Sequence, residues 1–174
     1  MSAEVVLSKD DLRAVTGFAA ASAETVLGIF EADQPDDSRP REAIGAAWAF
    51  ARGGERGKAL RDTAWAALKA ARSAHTAAGQ EAARAAMAAA GAAYLHPLAK
   101  ATQVKHILGA GAHAARAAEL ATGESAADHL ERTVRRAAPE VVDVLRRYPS
   151  APEGGGRVAE LTRLLDAALR TRPE

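Results

Sequence analysis

From Gln80 to His96 the chain reads QEAARAAMAAAGAAYLH, and no other stretch restricts the possible folds as severely. Alanine is the best intrinsic helix former, because a helix costs it no side-chain rotamer freedom. A segment made almost entirely of it is a helix, and its small side chains let neighbouring helices come close. The same bias runs through all 174 residues, more than a quarter of which are alanine. Aromatic residues make up only 4%, so Leu, Ile and Val must supply the larger core contacts.

Helical signals repeat along the chain. Ser8 and Asp11 form a capping-box pattern opening a first helix to about Glu31, with Leu12, Val15, Ala19, Val26 and Phe30 on its buried face. QPDDSRP ends it, and Pro40 suits an early position in the second helix, which stops at Gly53-Gly54. A third helix is expected over residues 55–77, with an interruption at Gly79, and the alanine helix over 80–96. Pro97 kinks that helix or opens a fifth, which runs to Gly123. Ser125 caps a sixth, which Pro139 kinks or splits before Tyr148. YPSAPEGGGR is a loop, and Val158, Leu161, Leu165 and Leu169 form an amphipathic stripe on a last helix. Strand alternation is absent beyond EVV at residues 4–6. These readings predict an all-α, single-domain bundle of six to eight helices. Residues 1–150 form the alanine-rich bundle, and 151–174 a loop and C-terminal helix packed on the same domain.

Charge and composition exclude several classes. With 23 basic and 22 acidic residues interspersed, the chain lacks the clustered cations of a nucleic-acid-binding surface. No cysteine is present, so disulfides and thiolate metal sites are impossible. No long apolar run suggests a membrane span, and MSAEVVLSKDDL lacks a secretory pattern. The expectation is a soluble, cytoplasmic protein with no cofactor. GGERGKAL, residues 53–60, only superficially resembles a phosphate-binding loop. Three residues rather than four separate Gly53 from Gly57, and Ala59 stands where Ser or Thr would hold magnesium. It reads as a helix C-cap and turn.

Three of the five histidines, His96, His106 and His113, fall within AYLHPLAKATQVKHILGAGAHAARAAEL. On one straight helix His96 and His106 would lie roughly 15 Å apart, too far to share a metal ion; no metal site is expected. At about 100° per residue, Gln103, His106, Ala110 and His113 share a sector of roughly 80°, with His96 at its edge if the helix is continuous. Such a face either bridges neighbouring helices by hydrogen bonds or receives a ligand or partner. Asp36, Asp37, Arg39 and Arg41 form a second polar cluster. They cap a helix and pair locally, or else a carboxylate faces His96 or His106 and fixes an imidazole. Trp48, Trp65 and Tyr94 supply most of the remaining aromatic surface, and the two tryptophans read first as core anchors, second as pocket walls. His75 and His129 stand among charged residues, read as exposed, and are assigned no role. The arginines from Arg132 to Arg172 read as a solvated face with helical ion pairs.

Two stretches carry a resemblance: DDSRPREAIGAAWAFARG with the following ALRDTAWAALKAAR, and the histidine segment itself. Together they resemble the Imm-5-like putative immunity proteins of actinobacteria, over roughly residues 10 to 122. Asp36, Arg39, Pro40, His96, Gln103 and His106 carry most of the likeness. The resemblance implies neutralisation of a toxin-like partner protein by tight binding, without catalysis. An exonuclease-subunit label attached to some members is not supported, because no phosphate loop, heptad run or acidic metal cluster is present.

The leading expectation is a binding protein whose recognition face draws on Asp36, Asp37, Arg39, Arg41, Trp48, Trp65, Tyr94, His96, Gln103, His106 and His113. The alternative is a small-molecule binder or enzyme of a natural-product pathway. There His96 and His106 act as acid/base groups in a cavity that both reach, walled by the tryptophans. A third option is a homo-oligomer packed through alanine-rich faces.

Overall fold

In the computed structural model, described here for residues 3–173, the alanine-rich segment is the central helix of an all-α bundle. Nine α-helices occur among the described residues: α1 Lys9–Glu24, α2 Leu27–Asp33, α3 Arg39–Ala51, α4 Lys58–Ser73, α5 Ala77–Gly91, α6 Val104–Thr122, α7 Ala126–Arg136, α8 Pro139–Arg146 and α9 Arg157–Arg170. Helix α5 packs against α1, α2, α3, α4 and α6, and α6 packs in turn against α1, α7 and α9. Alanines 82, 83, 85, 86, 89 and 90 of α5 are all buried. They share one broad face of the helix, which leaves Glu81, Arg84, Ala88 and Gly91 on a half-buried side that reaches the surface. Helix α6 is likewise built of small residues at its contacts, with Gly109, Gly111 and six buried alanines. At Gly111 an added Cβ would come within 3.0 Å of Leu165 and 3.2 Å of Thr133, so α9 and α7 approach α6 at glycine distance. Phe30, Phe50, Ile107, Leu108, Leu145, Leu161, Leu165 and Leu169 fill the remaining space.

Buried hydroxyls do not disturb this packing, because each bonds back within its own helix. Thr16 donates to the Leu12 carbonyl at 2.7 Å, Ser22 to Phe18 at 2.9 Å and Thr133 to His129 at 3.0 Å. The Ser8–Asp11 capping box is formed on both sides, at 2.9 and 3.0 Å. At the end of α3, Gly53 takes a positive φ of 114°, and its Gly54 neighbour donates to the Ala49 carbonyl. Residues 53–57 are therefore a helix terminus and turn, as the spacing of GGERGKAL indicated.

Several boundaries differ from the sequence reading. The first helix does not run to Glu31: it breaks at Thr25, whose hydroxyl bonds the Ser22 carbonyl at 2.7 Å, and α2 starts on a new axis that buries Leu27 and Phe30. Gly79 does not interrupt a helix. It lies in the first turn of α5, where its N–H donates to the side chain of the N-cap Thr76 at 3.0 Å. The alanine helix ends at Gly91 rather than His96, followed by a 3₁₀ turn over Ala92–Tyr94. Residues 97–99 are extended and pair with the first described residues: Val5 N–H donates to Pro97 at 2.9 Å and Ala99 N–H to Ala3 at 2.9 Å. After a second 3₁₀ turn, Ala101–Gln103, α6 begins at Val104. Pro139 opens α8 as a separate helix.

The C-terminal arginines do more than form a solvated face. Arg147 reaches back to Asp11 at 2.7 Å and to the Val6 carbonyl at 2.8 Å. Arg170 donates to the Tyr148 and Pro149 carbonyls, and Arg157 pairs with Glu119 of α6. A five-donor guanidinium suits such carbonyl clamps. No described helix is long and apolar enough to cross a membrane.

Candidate functional site

A groove of about 530 Å³ opens where α4, α5 and α6 diverge at the surface. Each helix contributes residues at positions i, i+1 and i+4, which share one helical face. They are Ala64, Trp65 and Leu68 from α4, Met87, Ala88 and Gly91 from α5, and Lys105, His106 and Gly109 from α6, with His113 one turn further on. The floor is low because Ala88, Gly91 and Gly109 carry little or no side chain. The wall is high because Trp65 stands beside it with 63% of its surface exposed.

The two groove histidines have different surroundings. The His113 Nδ1 lies 2.6 Å from Glu81 Oε2, and the other Glu81 oxygen takes a hydrogen bond from Arg84 at 2.8 Å. Burial works against the Glu81 carboxylate, but the His113 hydrogen bond and the His113 and Arg84 charges outweigh it, so its pKa lies below the ordinary value. An ionised Glu81 orients the His113 ring by holding Nδ1–H and leaves Nε2 for a ligand. For His106, burial comes first and the adjacent Lys105 charge second. Together they lower its pKa, and contact with the Gly91 backbone opposes them only in part. His106 therefore faces the groove as a neutral imidazole near pH 7.

On the other side of the Lys105–Gly109–His113 row lies a second, smaller groove of about 330 Å³. Its further lining comes from Ala101, Thr102 and the start of α9, including Val158, Ala159 and Thr162. That row of α6 side chains is thus a wall shared by two grooves.

The other sequence-selected residues are dispersed. His96 lies exposed in the extended segment before α6, does not line the groove, and its N–H donates to the Gln103 side chain at 2.9 Å. Gln103 is consequently the N-cap position of α6, turned toward that loop. The shared sector of Gln103, His106, Ala110 and His113 required a continuous helix, and the 3₁₀ turn removes its first member. Ala110 is buried, leaving His106 and His113 as the pair the structure brings together. The α4–α5–α6 groove is reached by His106 and not by His96.

Asp37 makes a bidentate pair with Arg39, at 2.9 and 2.7 Å, and Arg39 also reaches Ser73. Arg41 pairs in the same way with Glu31, and Asp36 is exposed. Neither carboxylate lines the histidine groove. Trp48 is partly buried, donating from Nε1 to Glu24 at 2.7 Å beneath the Arg52 guanidinium. Tyr94 bonds the Gly57 carbonyl between Arg56 and Arg61. Trp65 is no core anchor.

His129, read as exposed, is buried at 4% exposure on α7. Neither ring nitrogen has a hydrogen-bond partner among the described residues, and Glu124 lies 3.6 Å away, beyond hydrogen-bond reach. Its only sequence signal was the spacing from Leu130, Thr133 and Ala126, which share its buried face. Lys105 and Glu81 were also passed over. Lys105 adjoins His106 in sequence, but Glu81 is 32 positions from its partner and gave no signal. Among the described residues, no three His, Asp or Glu side chains converge closely enough to hold a metal ion.

A family model described as Imm-5 like putative immunity protein matches residues 6–140. The chain belongs to that family. The matched span of this Imm-5-like protein includes α1 to α7 and hence the entire α4–α5–α6 groove, and it ends as α8 begins. Helix α9, which lines the second groove, lies outside it. Searches for similar curated proteins and similar solved structures return no match.

Proposed function

We propose that this Imm-5-like chain binds and neutralises a toxin-like partner protein in the bacterial cytoplasm, without chemistry of its own, through the α4–α5–α6 groove. The observation that carries this reading is Trp65. A monomer gains nothing by leaving an indole 63% exposed beside an apolar groove, whereas a tryptophan closed over by a partner is the residue type richest in binding energy. Family membership points the same way. The two ion-paired arginines near Asp36, some distance in sequence from the groove, belong to the same proposal as a second contact region rather than as part of the groove.

Affinity capture of tagged wild type and Trp65→Ala from the native host, read by mass spectrometry for proteins and small molecules, tests the reading. A stoichiometric protein retained by wild type and depleted at least tenfold by Trp65→Ala is the expected result. Because Trp65 is exposed, the variant should keep its fold, to be checked by circular dichroism. Retention of the same protein by both would refute the groove as the interface.

The alternative, a small-molecule binder or enzyme, is favoured by one observation. The groove's volume falls in the range of ligand pockets, and it presents an oriented His113 and a neutral His106. A small molecule recovered in place of a protein would replace the first reading with this one. A second copy of the chain recovered instead, with a doubled mass in solution, would indicate the homo-oligomer.

A further inference from the structure

We propose that the groove receives an acidic, apolar segment of the partner protein, its carboxylate held by Lys105 and its bulky side chain seated between Trp65, Leu68 and Met87. The proposal rests on the partner-binding reading and adds the chemistry of what is bound.

Charge is the first argument. Neither groove contains an Asp or Glu in its lining; the ionisable groups there are Lys105, His106 and His113. Lys105 is exposed and forms no ion pair among the described residues. In contrast, Arg39, Arg41, Arg84, Arg116, Arg147 and Arg157 are each matched to a carboxylate. Glu81, the carboxylate behind His113, is already engaged by His113 and Arg84 and leaves Lys105 uncompensated. An anion brought by a partner would supply the missing charge at a surface of low polarity, where complementarity governs partner choice.

Placement is the second. Lys105 and His113 stand on the wall common to both grooves, so a chain crossing that wall meets the cation at its centre and apolar surface on either side. The third argument is shape. Ligand pockets enclose most of a small molecule's surface, whereas this groove leaves Trp65 and Lys105 largely in solvent until something broad covers them. A partner segment does so, and its carboxylate can accept from the Lys105 ammonium.

Selection from a random peptide-display library on the immobilised full chain, followed by titration of synthetic versions of the enriched peptides, provides the test. Wild type should enrich sequences with Asp or Glu within two residues of Trp, Phe or Leu. Lys105→Glu should weaken those peptides by about tenfold or more, and Lys105→Arg by no more than about threefold, with the difference shrinking in high salt. Enriched peptides without acidic residues, equal affinity for Lys105→Glu, or no enrichment would overturn the proposal. Indole-3-acetate serves as the small-acid arm: tighter binding by it than by the peptides would also overturn the proposal, in favour of a small carboxylate ligand. The partner-binding reading fails separately. A protein captured through Trp65 but indifferent to Lys105→Glu keeps that reading and removes the acidic segment.

Discussion

Replacing Gly79 with alanine should destabilise this protein, although the same replacement in most helices is favourable. Gly79 sits in the first turn of α5, the most alanine-rich helix, where propensity alone promises a gain of up to about 1 kcal/mol. An added Cβ, however, would lie 2.1 Å from Oδ2 of Asp33 and 3.0 Å from its Cγ. Asp33, whose side chain is only 4% exposed, crosses from the end of α2 to accept three hydrogen bonds: His75 N–H at 3.1 Å, Thr76 N–H at 2.9 Å and Thr76 Oγ1–H at 2.8 Å. The carboxylate must leave to admit the methyl group. At about 1 kcal/mol for each bond lost, the cost is roughly 3 kcal/mol, and the net effect after the propensity gain is about 2 kcal/mol of destabilisation. For a domain of this size that is a fall in Tm of roughly 4–8 °C.

Gly45→Ala supplies the control. Gly45 is exposed in the interior of α3 with no atom within 4 Å of a new Cβ, so this variant should gain up to about 1 kcal/mol. Urea unfolding followed by circular dichroism measures both. The decisive comparison is Gly79→Ala in an Asp33→Ala background, where the obstructing carboxylate is gone. There the substitution should become neutral or stabilising, a coupling of about 2–3 kcal/mol between the two sites. If Gly79→Ala costs the same with and without Asp33, the collision is not the cause and the reasoning is wrong.

Two further predictions concern acid. Burial depresses the His129 pKa, with the Arg132 and Arg136 charges acting in the same direction and Glu124 opposing, and burial also depresses that of His106. Below about pH 6.5 the unfolded chain binds protons that the folded chain refuses, so stability should fall as pH drops from 7 to 5.5 and be insensitive to these groups above that window. His129→Leu should flatten that slope in urea titrations; an unchanged slope would exclude His129 as the source. At lower pH the Glu119 carboxylate takes over. Hydrogen bonds from Arg157 and then Arg116 outweigh its partial burial and lower its pKa to about 2, so its stabilising contribution is complete above pH 4.5 and is lost as pH falls toward 2. Arg157→Gln should move part of that loss to higher pH, and an identical acid-unfolding midpoint would refute it.

Much of the fold could be read before any coordinates. The alanine content, the Ser8–Asp11 box, the Pro40 helix start, the break at Pro139 and the apolar stripe of α9 are local signals, and local signals survive in sequence because they act between residues a few positions apart. They specify that the chain is helical and roughly where most helices begin, with EVV at residues 4–6 as the one strand-like exception. The family assignment is equally a property of sequence, since it depends on residue identities in order.

The site was legible only in part. His106 and His113 share a helical face by arithmetic, and that pairing is seen in the groove. His96 and Gln103 lost their place on that face when residues 97–99 paired with the chain's first described residues, a contact between segments more than 90 positions apart. Glu81 meets His113 across two helices, His129 is buried by the packing of α6, α7 and α9, and Trp65 is exposed because α4 turns its Ala67, Ala70 and Ala71 face, not its indole, toward α5. Sequence by itself determined that this protein is a bundle of alanine-rich helices of the Imm-5-like family. Which polar groups face one another, and which aromatic is left for a partner, was decided by tertiary structure, because helix rotation and approach follow from the simultaneous packing of every neighbour rather than from any one segment's pattern.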